Sequence, residues 1–404
     1  MFALTKSLKT LTATFLIAGT CIGGGILALP IEAGEMGFFP ALFALLVCSL
    51  FMAGTGLLYA QASLWVEDEQ AHVVSISKHL LGRTGEWCAV VIYLFMGYAS
   101  LVAYNSQGVM YVQSFFQSVF AVPLLHWQAA AIFAAVFGSV LFLSTQLLGV
   151  INALVFGAMI VFYFLMVSLG APRVNMGLLT TYSFTSTYKI IPLVITSFSM
   201  QMIVPSISIY LGRDAKALKF AVSMGILIPA FLYAIWIAIV LGIVPHMGDF
   251  GTQKIGSGAV TLTAALEHYT SSRLFGVFSE FFGIFALVTS YFGIGLGLYD
   301  FMSDLTKVHK RGMGKILLVL IVVIPTLYFT VSYPGIFLLA LDLTGGFGDS
   351  TLDGIIPVLM VWMGTRVLGY SNAAFPFVSR PPVLGLLFLS SLVILTIQII
   401  KLVM

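Results

Sequence analysis

The sequence predicts an all-α membrane protein of eleven spanning helices: two inverted halves of five, then one more helix. Three observations lead there. The chain has 404 residues, 60% of them hydrophobic and only 8% charged, against about 25% charged in soluble domains. That is too little charge to coat a soluble surface. The apolar residues also come in runs of the roughly 20 residues that a spanning helix needs. Finally, two of those runs, five spans apart, carry interruptions near their middles.

The runs fall at roughly 10–33, 37–64, 86–120, 127–145, 149–170, 188–210, 216–244, 274–302, 314–332, 335–363 and 383–402. The chain reads as one transmembrane domain, with repeats over about 10–170 and 188–363 and an extra helix at 383–402. Lys6 and Lys9 before the first run mimic a signal peptide. The run continues past the usual apolar length without a cleavage site, which predicts a retained first helix. With the N-terminus inside, thirteen Lys and Arg lie on the cytoplasmic side and five outside: Arg173, Lys189, Lys254, Arg273 and Lys401. Positive residues favour the cytoplasmic side, so an odd number of spans leaves the C-terminus outside.

Two segments outside the spans stand out. Residues 66–85 read as a short interfacial helix on the cytoplasmic side. Residues 245–273 form the longest external loop, glycine-rich at first and helical-looking in "AVTLTAALEHY". It reads either as an outer gate or as a plain connector.

The first span contains "AGTCIGGGILALP", Ala18 to Pro30, with Gly19, Gly23, Gly24 and Gly25. Each interior Gly costs a helix roughly 1 kcal/mol relative to Ala. Two readings account for that cost. Gly19 and Gly23 have the spacing of a helix-packing motif. Alternatively, the glycines interrupt the helix and open its backbone to a ligand, as in the broken helices of secondary transporters. The sixth span, "ITSFSMQMIVPSISIY", places Ser197, Ser199, Gln201 and Pro205 at mid-membrane. Proline removes a helical hydrogen bond and serine can re-bond the freed backbone. Five spans of separation make the two segments antiparallel. Paired interruptions in opposed halves are the sequence pointer to a transporter binding site.

The stretches "AGTCIGGGILALP", "TSF" followed by "VPSI", "ALVTSYFGIGLGLYDFMSDL" and "LGRTGEW" resemble the bacterial aromatic amino acid permeases, the tyrosine- and tryptophan-specific group. The resemblance covers almost the whole chain. It implies a leucine-transporter-type fold and import of an aromatic amino acid by cation symport, with H⁺ favoured over Na⁺. The substrate is expected against Ala18, Thr20, Cys21, Gly23, Gly24, Gly25, Ser197, Phe198, Ser199 and Gln201, with Phe198 stacking on its ring, and the resemblance adds Tyr104. Gly19, Ile22, Thr289 and Ser290 would face the coupling ion. A hydroxyl pair there completes a sodium site in some members of the fold, and proton-coupled relatives can keep it. Tyr98 and Asn105 are further candidates for the wall.

One segment departs from the resemblance. Asp342, Asp349 and Asp353 flank "TGGFGDS" in the tenth span. Spacings of seven and four put all three on one face of an α-helix, and intramembrane charges usually face the bundle interior. Alternatively, Gly345, Gly346 and Gly348 break the segment and leave some of the aspartates in water. Glu280 and Asp300, near opposite ends of the eighth span, read as interfacial pairing partners.

Cys21, Cys48 and Cys88 all fall in apolar runs and fit no metal spacing. Neither a nucleophile elbow, a phosphate loop nor an acid–base constellation is present, so the chain does not read as an enzyme and implies no cofactor. No basic patch suggests nucleic acid. The expected partners are an aromatic amino acid, a coupling ion and lipid, with function as a monomer.

Overall fold

Inside lipid no water satisfies backbone N–H and C=O groups, so apolar runs fold as helices. The computed structural model describes residues 2–66, 72–142, 145–258, 260–371 and 374–403. Among them there are helices and turns but no strand. The order is α1 (Phe2–Cys21), α2 (Gly24–Met36), α3 (Phe38–Trp65), α4 (Val73–Phe120), α5 (His126–Ser139), α6 (Thr145–Gly170), α7 (Met176–Leu179), α8 (Ile191–Ser197) and α9 (Val204–Tyr210). It continues with α10 (Ala215–Ile243), α11 (Thr252–Gly256), α12 (Leu262–Thr270), α13 (Arg273–Thr306), α14 (Met313–Ser332), α15 (Phe337–Leu343), α16 (Ile356–Arg366) and α17 (Pro381–Val403). A π-helix, Thr344–Ile355, joins α15 to α16.

Among the described residues eight helices are long and apolar enough to cross a membrane. The count is nine if Lys6–Cys21 and Gly24–Met36, bent by 49° at their junction, form one span. Two of the eleven expected spans fall outside that count for visible reasons. The helix His126–Phe142 is short. The segment expected at 335–363 is divided between α15, the π-helix and α16.

The expected interfacial helix is the opening of α4. It bends into the long span at Gly82, whose φ of 70° is costly for any residue with a Cβ. Residues 67–71 of that expected segment lie outside the described residues. In the loop 245–273, the helical-looking stretch becomes α12, whose first turn is capped by Thr261 Oγ1 accepting from Ala264 N at 3.1 Å. Residues on either side of position 259 wall a cavity of about 310 Å³ together with Leu27, Gln107 and Phe337.

The elements pack around the two interrupted segments. α1 lies on α10, α13 on α6 and α4, and α10 on α3, while α8 and α17 hold the π-helix. Ion pairs mark the two ends of the bundle. Lys6 pairs with Asp214, whose carboxylate caps α10 by accepting from Lys216 N at 2.9 Å and Ala217 N at 3.1 Å. At the other end Lys189 meets Glu35 at 2.5 Å, and Lys401 meets Asp342 at 2.7 Å. Asp300 pairs with Lys310 at 2.8 Å, as its interfacial position suggests. The three cysteines are free.

Candidate functional site

The first apolar segment loses helical bonding where its glycines cluster. Ala18 O still accepts from Ile22 N at 3.0 Å. α1 then stops at Cys21, and Gly23 (φ −135°, ψ −146°) leads into α2. No side chain caps α2, and the first N–H groups of a helix have no partner within it. The segment around the sixth span behaves similarly. Phe198 N and Ser199 N close a tight turn on Ile195 O and Thr196 O, at 3.0 and 3.2 Å. A 3₁₀ turn, Gln201–Ile203, then leads into α9. Pro205 falls in the first turn of α9, where its missing N–H deprives the helix of nothing. The proline therefore starts a helix rather than kinking one.

The two interruptions are tied together by α10. Tyr233 Oη lies 2.6 Å from Cys21 O and 2.9 Å from Ser197 O, so one hydroxyl proton is shared between the carbonyl ends of α1 and α8. The Cys21 thiol points at Phe198 O, 3.7 Å away. These contacts satisfy carbonyls that the interruptions would otherwise leave open in a buried place.

A cavity of about 760 Å³ opens at this junction. It runs from Gly23, Gly24 and Gly25 to Thr12, His72, Asp300 and Phe301. Of the residues singled out in the sequence, Gly19, Thr20, Cys21, Gly23, Gly24, Gly25, Tyr104, Ser199, Thr289 and Ser290 stand on its wall. The glycines serve both readings given above. A Cβ on Gly24 would come within 2.6 Å of the Tyr104 ring, which stands on the cavity wall. One on Gly25 would come within 3.0 Å of Ser197 Cα, a backbone atom that no rotation can move. One on Gly23 would collide with Ser290 Oγ. Close packing brings α2 against α4, α8 and α13, and the same absence of side chains leaves backbone facing the cavity.

Ala18, Ile22, Ser197, Phe198 and Gln201 are buried and are not on that wall. Phe198 stands edge-on to Tyr233, ring centroids 5.4 Å apart at 63°, so its ring belongs to the packing behind the junction. Ser197 Oγ donates to Leu193 O at 2.8 Å. Gln201 anchors the sixth segment to α3, donating from Nε2 to Thr55 Oγ1 at 2.9 Å and accepting from Met200 N at 2.9 Å. On α4, Tyr98 donates to Ile321 O at 2.8 Å and is not part of the wall, and Asn105 is buried. Thr289 and Ser290 donate to Ala286 O at 3.0 and 3.1 Å. Their oxygens keep lone pairs free for a ligand, since a hydroxyl has two acceptor sites.

The aspartates lie in the interior, as expected of intramembrane charges, but not on the face of a plain α-helix. The segment is neither a plain α-helix nor broken into water. Asp349 and Asp353 lie in the π-helix, Asp342 ends in α15, and all three are buried. Gly345, Gly346, Gly348 and Gly354 bring this widened helix against Pro192, Gln398, Met96 and Ser391. Tyr59 Oη donates to Leu352 O at 2.7 Å and so serves one of its carbonyls. Asp342 takes Lys401 as partner, and Asp353 Oδ2 accepts from Ser199 Oγ at 2.9 Å.

Several participants were not singled out beforehand. Tyr233 is one tyrosine in an apolar run, with no neighbour in sequence to mark it. Phe156, 3.2 Å from where a Gly19 Cβ would lie, and Asn152 complete the cavity wall from α6. The link from Ser199 to Asp353 joins residues 154 positions apart.

A helical membrane bundle with a cavity at an interrupted first segment has the architecture of leucine-transporter-type proteins. The solved structure of Mhp1, a nucleobase-cation-symport-1 family transporter, superposes with a TM-score of 0.64 over 95% of this chain and 91% of that one, at 13% identity. Residues 6–398 match the tryptophan/tyrosine permease family, and the chain belongs to that family. Among its relatives, tyrosine-specific transport system 1 of Haemophilus influenzae is 28% identical over 89% of either chain. The tryptophan-specific transport protein of the same organism is 26% identical over 88% of this chain and 87% of its own. The relatives are transport proteins and permeases, so this multi-pass membrane protein is a transporter and not an enzyme.

Proposed function

We propose that the protein imports tyrosine and/or tryptophan across the inner membrane by proton symport, binding the amino acid at the junction of α1, α2 and α8. The observation that carries this is the 760 Å³ cavity meeting the uncapped start of α2 at Gly23–Gly25. Open N–H groups and the positive end of the helix dipole suit the substrate carboxylate. Carbonyl ends near Cys21 and the Ser199 hydroxyl suit its ammonium group. Tyr104 offers a ring face with a polar tip, which suits an aromatic side chain. Family membership and the names of the relatives supply the substrate class.

The same reading takes the two interrupted segments as the first and sixth spans of inverted halves. His126–Phe142 and the run from α15 to α16 then complete eleven spans. Positive residues put the N-terminus inside and the C-terminus outside. In that orientation the cavity opens to the cytoplasm and the loop 245–273 closes the outer side as a gate. The protein functions as a monomer.

Sodium coupling is the second reading, favoured by Thr289 and Ser290 on the wall beside Gly19 and Gly23. Hydroxyl and backbone oxygens are suitable ligands for a hard cation. Uptake of labelled tyrosine and tryptophan into proteoliposomes separates the readings, together with competition by a panel of unlabelled amino acids. The proposal expects uptake driven by an inward pH gradient in sodium-free buffer and abolished by a protonophore. Uptake that requires Na⁺ and survives the protonophore moves Thr289 and Ser290 into the ion's ligand shell. Competition by non-aromatic amino acids alone refutes the substrate assignment.

A further inference from the structure

The π-helix holds two carboxyl groups that the substrate site does not use. Asp349 and Asp353 are fully buried and stand about one turn apart in the π-helix. Such a pair cannot carry two charges in a dry interior without a large cost. The donors around it are already engaged. Ser199 gives its hydroxyl proton to Asp353 Oδ2 at 2.9 Å, and Thr196 gives its own to Leu341 O at 2.9 Å. Neither oxygen of Asp349, nor Oδ1 of Asp353, is left with a donor. Buried acceptors of this kind are nearly always satisfied, and a proton shared by the pair would supply the donor.

Among the described residues no cation is placed to take that role. The ionisable groups facing the pair are Tyr59 from α3, Tyr104 from α4 and the Cys21 thiol at the end of α1. α8 offers only hydroxyls. On α17 the ionisable residue is Lys401, which pairs with Asp342 at the edge of the bundle. On α16 it is Arg366, at the far end and over the Trp362 ring. Among the described residues no group of three or more His, Cys, Asp or Glu is placed to hold a metal ion.

We propose that the Asp349–Asp353 pair is the proton-binding site that couples transport to the proton gradient, with Ser199 linking it to the substrate cavity. This rests on the proton-symport reading above. In the loaded state one proton is shared and the pair carries a single negative charge. Release to cavity water past Ser199 leaves two negative charges, a state that needs that water. Because Ser199 stands both on the cavity wall and on Asp353, ligand binding in the cavity and protonation of the pair act on the same turn of backbone. Widened π-helical turns recur at functional sites, and here the segment holds two buried carboxyls about one turn apart, without a counter-ion among the described residues.

The test uses the full chain in sodium-free proteoliposomes that trap a pH-sensitive dye. The unmodified protein comes first: a sodium requirement at this step sinks the symport reading itself. With proton-driven uptake established, Asp349→Asn and Asp353→Asn are each expected to lower accumulation by roughly tenfold under an inward gradient of one pH unit, the ratio that one coupled proton sustains. Each should also flatten the pH dependence of substrate-induced thermal stabilisation. Asp353→Glu keeps a carboxyl and is expected to keep that pH dependence. A folded Asn variant that accumulates substrate and acidifies the lumen like the parent overturns the assignment. If neither Asn variant folds, infrared difference spectra of the unmodified protein with ¹³C-labelled aspartate decide. A protonated aspartic acid carbonyl band that shifts on adding substrate supports the proposal, and its absence overturns it.

Discussion

Gly24 and Tyr104 show how much of the site depends on single atoms. A side chain on Gly24 must displace the Tyr104 ring, because its Cβ alone would lie 2.6 Å from Cε1 and 3.0 Å from Cδ1. Gly24→Val is therefore expected to reach the membrane, yet to lose uptake and substrate-dependent thermal stabilisation. Pairing it with Tyr104→Ala should restore fold stability but not affinity, since the ring proposed to meet the substrate is gone. Parent-like uptake by Gly24→Val would show that these glycines only pack helices. Phe198 gives the opposite case. Its residue type and neighbours suggest a stacking platform, but its ring is buried against Tyr233. Phe198→Ala is expected to cost about 3–5 kcal/mol as a core cavity. Folded yield and uptake should fall together, with KM per folded molecule near the parent's. A raised KM at unchanged yield would put the ring back on the substrate.

At the scale of elements, the junction depends on α10. Tyr233 satisfies the ends of α1 and α8 with one hydroxyl, so Tyr233→Phe leaves two buried carbonyls without that donor. Each such loss is worth about 1–3 kcal/mol. The variant should melt earlier in detergent and transport more slowly, with substrate restoring part of the stability by re-engaging the loosened ends. An unchanged melting temperature would mean that the two interruptions hold their geometry without α10. The π-helix makes a related point. Spacings of seven and four assume 3.6 residues per turn, and the widened turn changes which residues are neighbours. Nothing in the aspartate spacing announces that change, although the four glycines permit it by admitting α4, α8 and α17 closely.

At the scale of the whole molecule, orientation is the property that composition addresses most directly. If the eleven expected spans hold, thirteen cationic residues lie on one side and five on the other, a bias that predicts an internal N-terminus and an external C-terminus. A reporter active only outside the cytoplasm, fused after Met404, should be active, and a cytoplasmic reporter there should be silent. The reverse pattern would remove one span or turn the protein over.

Residue types alone sufficed for the class of molecule and the principal spans. Those features are local: apolar run length and charge scarcity each act within a single span. The sequence also marked part of the cavity wall, because Gly23–Gly25, Ser199, Thr289 and Ser290 are unusual where they stand. Which side chains face the cavity was decided only by the tertiary structure. Phe198 and Gln201 turn away, Tyr233 arrives from α10, and Asp353 meets Ser199 from 154 residues off. Those pairings depend on how helices rotate and pack against one another, and a period along one helix carries no information about its neighbour's rotation.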